Sequence, residues 1–227
     1  MSHANKTGSL TIDYAKGREQ KKSLKYRLWR RTREVLDAIE MFAETPVRRI
    51  VDLGCAEGRM LRDIQKRHPG AACVGVEYDK ALIVYGKGLF GNIAMVRGDI
   101  QSLAFKDGLF DVAVATAVIE HVPDPRKAVK EIKRVLAPGG LLILTAPDPF
   151  WEHLATKVGH LPEEQHHRVM NLNELTRLVT REGFTVLKSR KFMVSPVGMP
   201  FEFAFESLLR MMRLNFLMAN QLIVARC

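Results

Sequence analysis

The chain has 227 residues, 47% of them hydrophobic and 26% charged, with a net charge of +10 and a pI near 9.7. That content excludes a disordered chain and suits one α/β domain with a sizeable core. It contains no apolar run of the roughly 18 residues that span a bilayer, no basic-then-apolar leader at its start and only three cysteines, so a reducing, cytoplasmic setting is expected.

Residues 1–17 are polar and are expected to be mobile. From 18 to 42 the pattern is helical: Leu24, Leu28, Val35, Ile39 and Phe42 recur at spacings of four, seven, four and three. Lys16, Arg18, Lys21, Lys22, Lys25, Arg27, Arg30, Arg31 and Arg33 are placed on the outer face, with Glu19 the one acid among them. Such a helix is either a solvated face or a patch for phosphate or an anionic lipid surface.

Pro46 marks a boundary. A strand is predicted over 47–53 and a helix from the following turn to 67, stopped by Pro69-Gly70. Residues 72–77 form a second strand, Asp79 caps the next helix, and 93–96 form a short third strand. A fourth strand runs 110–115. Asp124-Pro125 starts a helix that Pro138-Gly139-Gly140 ends, and 141–145 is the fifth strand. Asn171 and Glu174 make a capping pair for a helix ending at Gly183. Residues 184–192 and 221–226 complete the set. Strand and helix alternate, so a mostly parallel, doubly wound sheet covered on both faces is expected.

Three predicted strands end in an acid or run directly into one: Asp52, Glu77 and Asp99. Between the first strand and its helix lies Gly54-Cys55-Ala56-Glu57-Gly58, a turn that lets backbone N–H groups approach a ligand. A carboxylate suits a vicinal diol, so Glu77 is placed for ribose hydroxyls. Asp99 can accept from an exocyclic amine, with the Ile100 N–H and side chain beside it. Asp52 can hold an ammonium. A nucleoside with a cationic, zwitterionic tail satisfies all three. A dinucleotide fits poorly, because Ala56 replaces the second glycine of Gly-x-Gly-x-x-Gly and Arg59-Met60 follows Gly58.

With Val51-Asp52-Leu53-Gly54-Cys55-Ala56-Glu57-Gly58, Val74-Gly75-Val76-Glu77, Gly98-Asp99-Ile100, Phe110-Asp111-Val112 through Val122, and Arg134 through Gly140 in this order, the chain resembles the class I S-adenosylmethionine-dependent methyltransferases, in particular the small-molecule group that includes the ubiquinone-biosynthesis type. The match covers about residues 47–192. It implies a Rossmann-like methyltransferase fold of seven strands over 46–227, preceded by a basic helical extension over 1–45, with the last strand inserted antiparallel between the fifth and sixth. It implies S-adenosylmethionine as cofactor. Gly54, Cys55, Ala56 and Gly58 would hold its methionine part and Glu77 its ribose. Tyr78 would lie against the adenine, Asp99 and Ile100 at the adenine edge, and Thr116 and Val118 beside the transferred methyl. The family usually has glycine where Ala56 stands, and a small shift of the loop is expected.

Methyl transfer from a sulfonium is an in-line displacement that positioning alone can drive, with a base where the acceptor must lose a proton. His121 and His167, the latter paired with His166, are the candidate general bases. His153, His160, His166 and His167 do not share a helix face, so no metal is expected. The segment after the fourth strand, Thr116-Ala117-Val118-Ile119, lacks the Pro-Pro-aromatic motif of enzymes that methylate base amines. The segment 200–218 is rich in Phe, Leu and Met, which adapt to apolar ligands. The expected acceptor is therefore a small or lipid-like molecule, with peripheral contact to an anionic membrane surface. The alternatives are an RNA methyltransferase and a non-catalytic cofactor-binding partner protein.

Overall fold

The computed structural model describes residues 12–44, 46–157, 169–195 and 197–227. In chain order the elements are helices α1 (Ile12–Gln20) and α2 (Lys22–Phe42), strand β1 (Arg49–Leu53), α3 (Arg59–Arg67), β2 (Ala72–Glu77), α4 (Lys80–Phe90), β3 (Met95–Arg97), β4 (Phe110–Thr116), α5 (Pro125–Val135), β5 (Leu136–Pro147), α6 (Pro149–Lys157), α7 (Leu172–Arg181), β6 (Thr185–Phe192), α8 (Glu202–Met211) and β7 (Asn220–Arg226). The strands form one seven-stranded sheet in the order β3-β2-β1-β4-β5-β7-β6. The first five pair in parallel, and β7 lies antiparallel between β5 and β6, as the resemblance implied.

Alternation along the strands divides the core in two. Val51, Leu53, Ala113, Ala115, Leu142 and Leu144 face one way, against α5 and α7. Ile50, Val112, Val114, Leu141 and Ile143 face the other way, against α2, α3 and α4. The helix starts follow from their caps. Asp79 Oδ1 accepts from Ala81 N at 2.7 Å, and Asp124 Oδ1 accepts from Lys127 N at 3.0 Å. Asn171 and Glu174 close a reciprocal capping box.

Three expectations need correction. The N-terminal helix starts at Ile12, not Arg18, and is broken at Lys21, whose backbone is extended. The break turns α1 so that Ala15 packs on Ala56 and Leu82. Pro138-Gly139-Gly140 does not end a helix: α5 stops at Val135 and those residues already lie in β5. There Gly139 N donates to Cys227 O at 3.1 Å and Cys227 N to Gly140 O at 2.8 Å. Third, Arg30 does not face outward. It is fully buried, over the rings of Phe192 and Phe203.

Arg30 is held there by carboxylates. It pairs with Glu34 one helical turn on, and its Nη2 donates to Glu206 Oε2 of α8 at 2.9 Å. Burial disfavours its charge, but Glu34 and Glu206 more than offset that and raise its pKa. Arg190 of β6 also pairs with Glu34, and Tyr26 donates to Glu202 of α8. This network joins α2, β6 and α8. Arg30→Met keeps the bulk but removes the buried cation that Glu34 and Glu206 share, leaving Glu34 to Arg190 and Glu206 to Arg210 and the Met193 N–H. We expect a loss of about 3 kcal/mol or more in urea unfolding, whereas a change under about 0.5 kcal/mol would place the network among neutral surface substitutions.

Candidate functional site

The site grows from the turn between β1 and α3. Gly54 N and Cys55 N both donate to Val76 O of β2, at 2.8 and 3.1 Å, and Ala56 N donates to Glu77 Oε2 at 2.9 Å. Gly54 has φ +70°, and a Cβ there would sit 2.4 Å from Val118 Cγ2. Only glycine lets the turn lie this close to the end of β4. Ala56 also has a positive φ, +50°, which costs an alanine roughly 1–2 kcal/mol. Its methyl is buried against Ala15 of α1 and Leu82 of α4, so the departure from glycine gives α1 a foothold on the turn.

Three buried carboxylates surround the turn. Asp52 is on the α2 side of β1, 2% exposed, and its Oδ2 has no hydrogen-bond partner among the described residues. Burial first, then the charge of Glu77, push its pKa up to about 7, against a smaller opposing pull from Arg18. Glu77 Oε1 accepts from Asp79 N at 2.9 Å while Oε2 holds Ala56 N. Its pKa is raised by burial, which these backbone donors only partly counter. Glu57 is fully buried and is compensated by Arg18 Nη1 at 2.7 Å and Arg59 Nε at 3.1 Å.

A narrow cleft with about 30 Å³ of free space opens over the turn. Asp52, Gly54, Cys55, Ala56, Met60 and Thr116 form its floor. Its wall is Arg18 of α1 with Leu24, Arg27, Leu28 and Arg31 of α2. The four α2 residues of the wall form one stripe, at spacings of three, one and three. Reading the cations as an outward face missed this, although Leu24 and Leu28 on that same stripe were the available signal. Arg31 is oriented by Asn220 of β7, whose Oδ1 accepts from Nε at 3.0 Å and Nη2 at 2.8 Å. Arg27 Nε is buried without a hydrogen-bond partner among the described residues.

The remaining expected residues divide. Thr116 is in the cleft, its Oγ1 3.6 Å from Met60 Sδ, and Val118 backs Gly54. Tyr78 is half-exposed, with the Arg97 guanidinium 5.9 Å from its ring. Asp99 accepts from Gln101 N at 2.8 Å in a tight turn, and the Ile100 side chain is in the core. His121 ends a short 3-10 turn after β4 and is not among the described residues lining the cleft. His166, His167 and His160 lie outside the described residues. Cys55 is buried, and burial holds its thiol well above the ordinary pKa, which leaves it no thiolate to act with. No group of three metal-ligating side chains occurs among the described residues.

Residues 26–189 match the family profile described as a methyltransferase domain. The demethylmenaquinone methyltransferase of Thermus thermophilus is 31% identical over 128 residues, covering 53% of this chain and 55% of that protein. The trans-aconitate 2-methyltransferase of Variovorax paradoxus is 31% identical over 114 residues, covering 49% and 44%. The chain thus spans about half the length of these curated relatives. Among solved structures, one from the complex of the Haloferax volcanii Trm112 methyltransferase activator with its candidate methyltransferase superposes with a TM-score of 0.71 at 19% identity, covering 99% of both chains. A SAM-dependent methyltransferase from Archaeoglobus fulgidus gives 0.63 at 16%, covering 86% and 94%. With the profile running over most of its length and the sheet order in agreement, this chain belongs to the methyltransferase-domain family and has the fold of the class I S-adenosylmethionine-dependent methyltransferases.

Proposed function

We propose that the chain is an S-adenosylmethionine-dependent methyltransferase of a small, anionic acceptor, acting by in-line transfer. The observation that carries this is the unpartnered, buried Oδ2 of Asp52 at the floor of a cleft walled by arginines. A buried carboxylate oxygen without a donor is costly, and a ligand ammonium relieves it. Asp52 and the Gly54–Gly58 turn thus fit the amine and methionine part of the cofactor, and in this reading Glu77 would take the ribose and Tyr78, Asp99 and Ile100 would lie around the adenine. When bound, the cofactor supplies an activated methyl group.

The chain's own part is binding, orientation and exclusion of water. Thr116 and Val118, beside Gly54, border the place of transfer. Arg27 and Arg31 face the floor from α2 and suit a carboxylate or phosphate on the acceptor. Leu24 and Leu28 flank them and keep the space dry. Fixing the acceptor and shielding it from water is enough to accelerate transfer to an already nucleophilic oxygen, nitrogen or carbon. Where the acceptor must lose a proton, His121 and His167 remain the candidates for a base. The small-molecule enzymes among the relatives support this acceptor class; trans-aconitate, the acceptor named in one of them, is itself a carboxylate.

Calorimetry with S-adenosylhomocysteine tests the cofactor half. Glu77→Gln removes one acceptor and the charge, and we expect about tenfold or greater weakening with cooperative unfolding retained. Equal affinity would remove the ribose assignment. Arg27→Gln should leave this affinity within about threefold and abolish turnover with carboxylate acceptors, whereas a larger loss of S-adenosylhomocysteine affinity would give Arg27 to the cofactor's own methionine carboxylate.

Asp52 also gives the site a pH dependence. Glu77, Glu57 and Arg18 face it, and its folded pKa is raised above the unfolded one. Its contribution to stability is therefore whole below the ordinary aspartate range and is lost as pH rises to about 7. Asp52→Asn should melt a few degrees above wild type at pH 8 and converge with it near pH 4. Cofactor binding has the opposite requirement, an ionised Asp52. Affinity for S-adenosylhomocysteine should fall as pH drops below about 7 in the wild type, and this fall should be shallower in Asp52→Asn.

A further inference from the structure

Helix α8 is packed inside out. Its acids, Glu202 and Glu206, are buried at 2% and 1% exposure. Tyr26 and Arg30 of α2 hold them from one side, and the backbone N–H groups of Met193, Val194 and Ser195 from the other, at 2.7 to 3.1 Å. A neighbouring stripe, about 100° round the helix, carries Phe201, Phe205, Leu208 and Met212, at spacings of four, three and four, all exposed to water, with Phe201 at 87%. An ordinary surface helix has the reverse arrangement. A contiguous apolar stripe of this kind marks a contact surface.

The charge around the stripe selects the contact. Between residues 197 and 219 the acids are Glu202 and Glu206, and both point inward. Arg210 is partly exposed but turned to Glu206, its Nη1 3.4 Å from Oε2, while Arg213 is exposed. The outward side of α8 is therefore apolar and cationic, with no carboxylate, on a chain of net charge +10. Two copies meeting through it would set arginine against arginine, which disfavours a self-contact. We propose that this face of α8 docks on an anionic lipid surface, with Phe201, Phe205 and Leu208 in the acyl boundary and Arg213 at the level of the headgroup phosphates. The buried pairs of Arg30 and Tyr26 clamp α8 to α2, the helix that also walls the cleft, so a contact made through α8 bears directly on that helix. The proposal stands apart from the cofactor assignment and needs no ligand in the cleft.

Sedimentation of the full chain with neutral phosphatidylcholine vesicles, and with vesicles containing roughly 30% phosphatidylglycerol, tests it. We expect binding to the anionic vesicles alone, weakened by salt. Phe205→Ser with Leu208→Ser should reduce it at least tenfold, and Arg213→Gln severalfold. In the wild-type chain, hydrogen exchange across 201–213 should slow on anionic vesicles, a measure that does not depend on the variants folding. No binding, equal binding to both vesicles, or unchanged exchange across 201–213 would overturn the proposal. So would light scattering that shows a dimer in the wild type and a monomer in the serine variant, which would assign the face to a second copy.

Discussion

One carboxylate, that of Glu77, sets the geometry from which the site follows. It sits at the end of β2 and accepts from the backbone of the neighbouring turn at Ala56 and from its own turn at Asp79. Parallel strands bring these two chain reversals to the same edge of the sheet. Buried at the end of its strand, the carboxylate is met by backbone N–H groups of both turns, so satisfying it fixes them together. Asp52 lies in the same field on β1 without an equivalent donor, and burial first, then the charge of Glu77, raise its pKa. A site that stores an unmet acceptor in this way gives up stability in the absence of a ligand and recovers it on binding.

The second organising element is α2. It is strongly basic, yet it is a core helix: Val35, Ala38 and Ile39 join the sheet's interior cluster. Its cations have three different fates. Arg30 is buried among carboxylates, Arg31 is aimed by Asn220, and Arg33 lies over the rings of Trp29 and Phe203. The same side chains therefore close the cleft, brace β7 and anchor α8. Buried ion pairs are weak contributors to stability but strict about geometry, which suits a helix that must keep one stripe over a site and another on a neighbour.

The turn chemistry and the sheet were legible because they are written in short range. Asp79, Asp124 and the Asn171–Glu174 pair cap helices through contacts of two or three residues, and strand alternation assigns each core residue its side. The errors arose where a local signal met a distant partner. Pro138-Gly139-Gly140 reads as a terminator, but pairing with β4 and with Cys227 draws it into β5. Arg30 reads as solvent-facing because its partner Glu206 is 176 residues away.

By itself the sequence determined the strand–turn–helix unit around Gly54, the acids at the strand ends and the order of the elements, since these depend on neighbours along the chain and on a period of two or 3.6. Tertiary structure alone decided which acid is satisfied and which is left open, that α1 and α2 roof the cleft, and that α8 turns its charges in and its rings out. Those outcomes depend on which buried charges find partners across the fold, and a long basic or acidic side chain has no intrinsic preference until the low-dielectric interior sets the cost of leaving it alone.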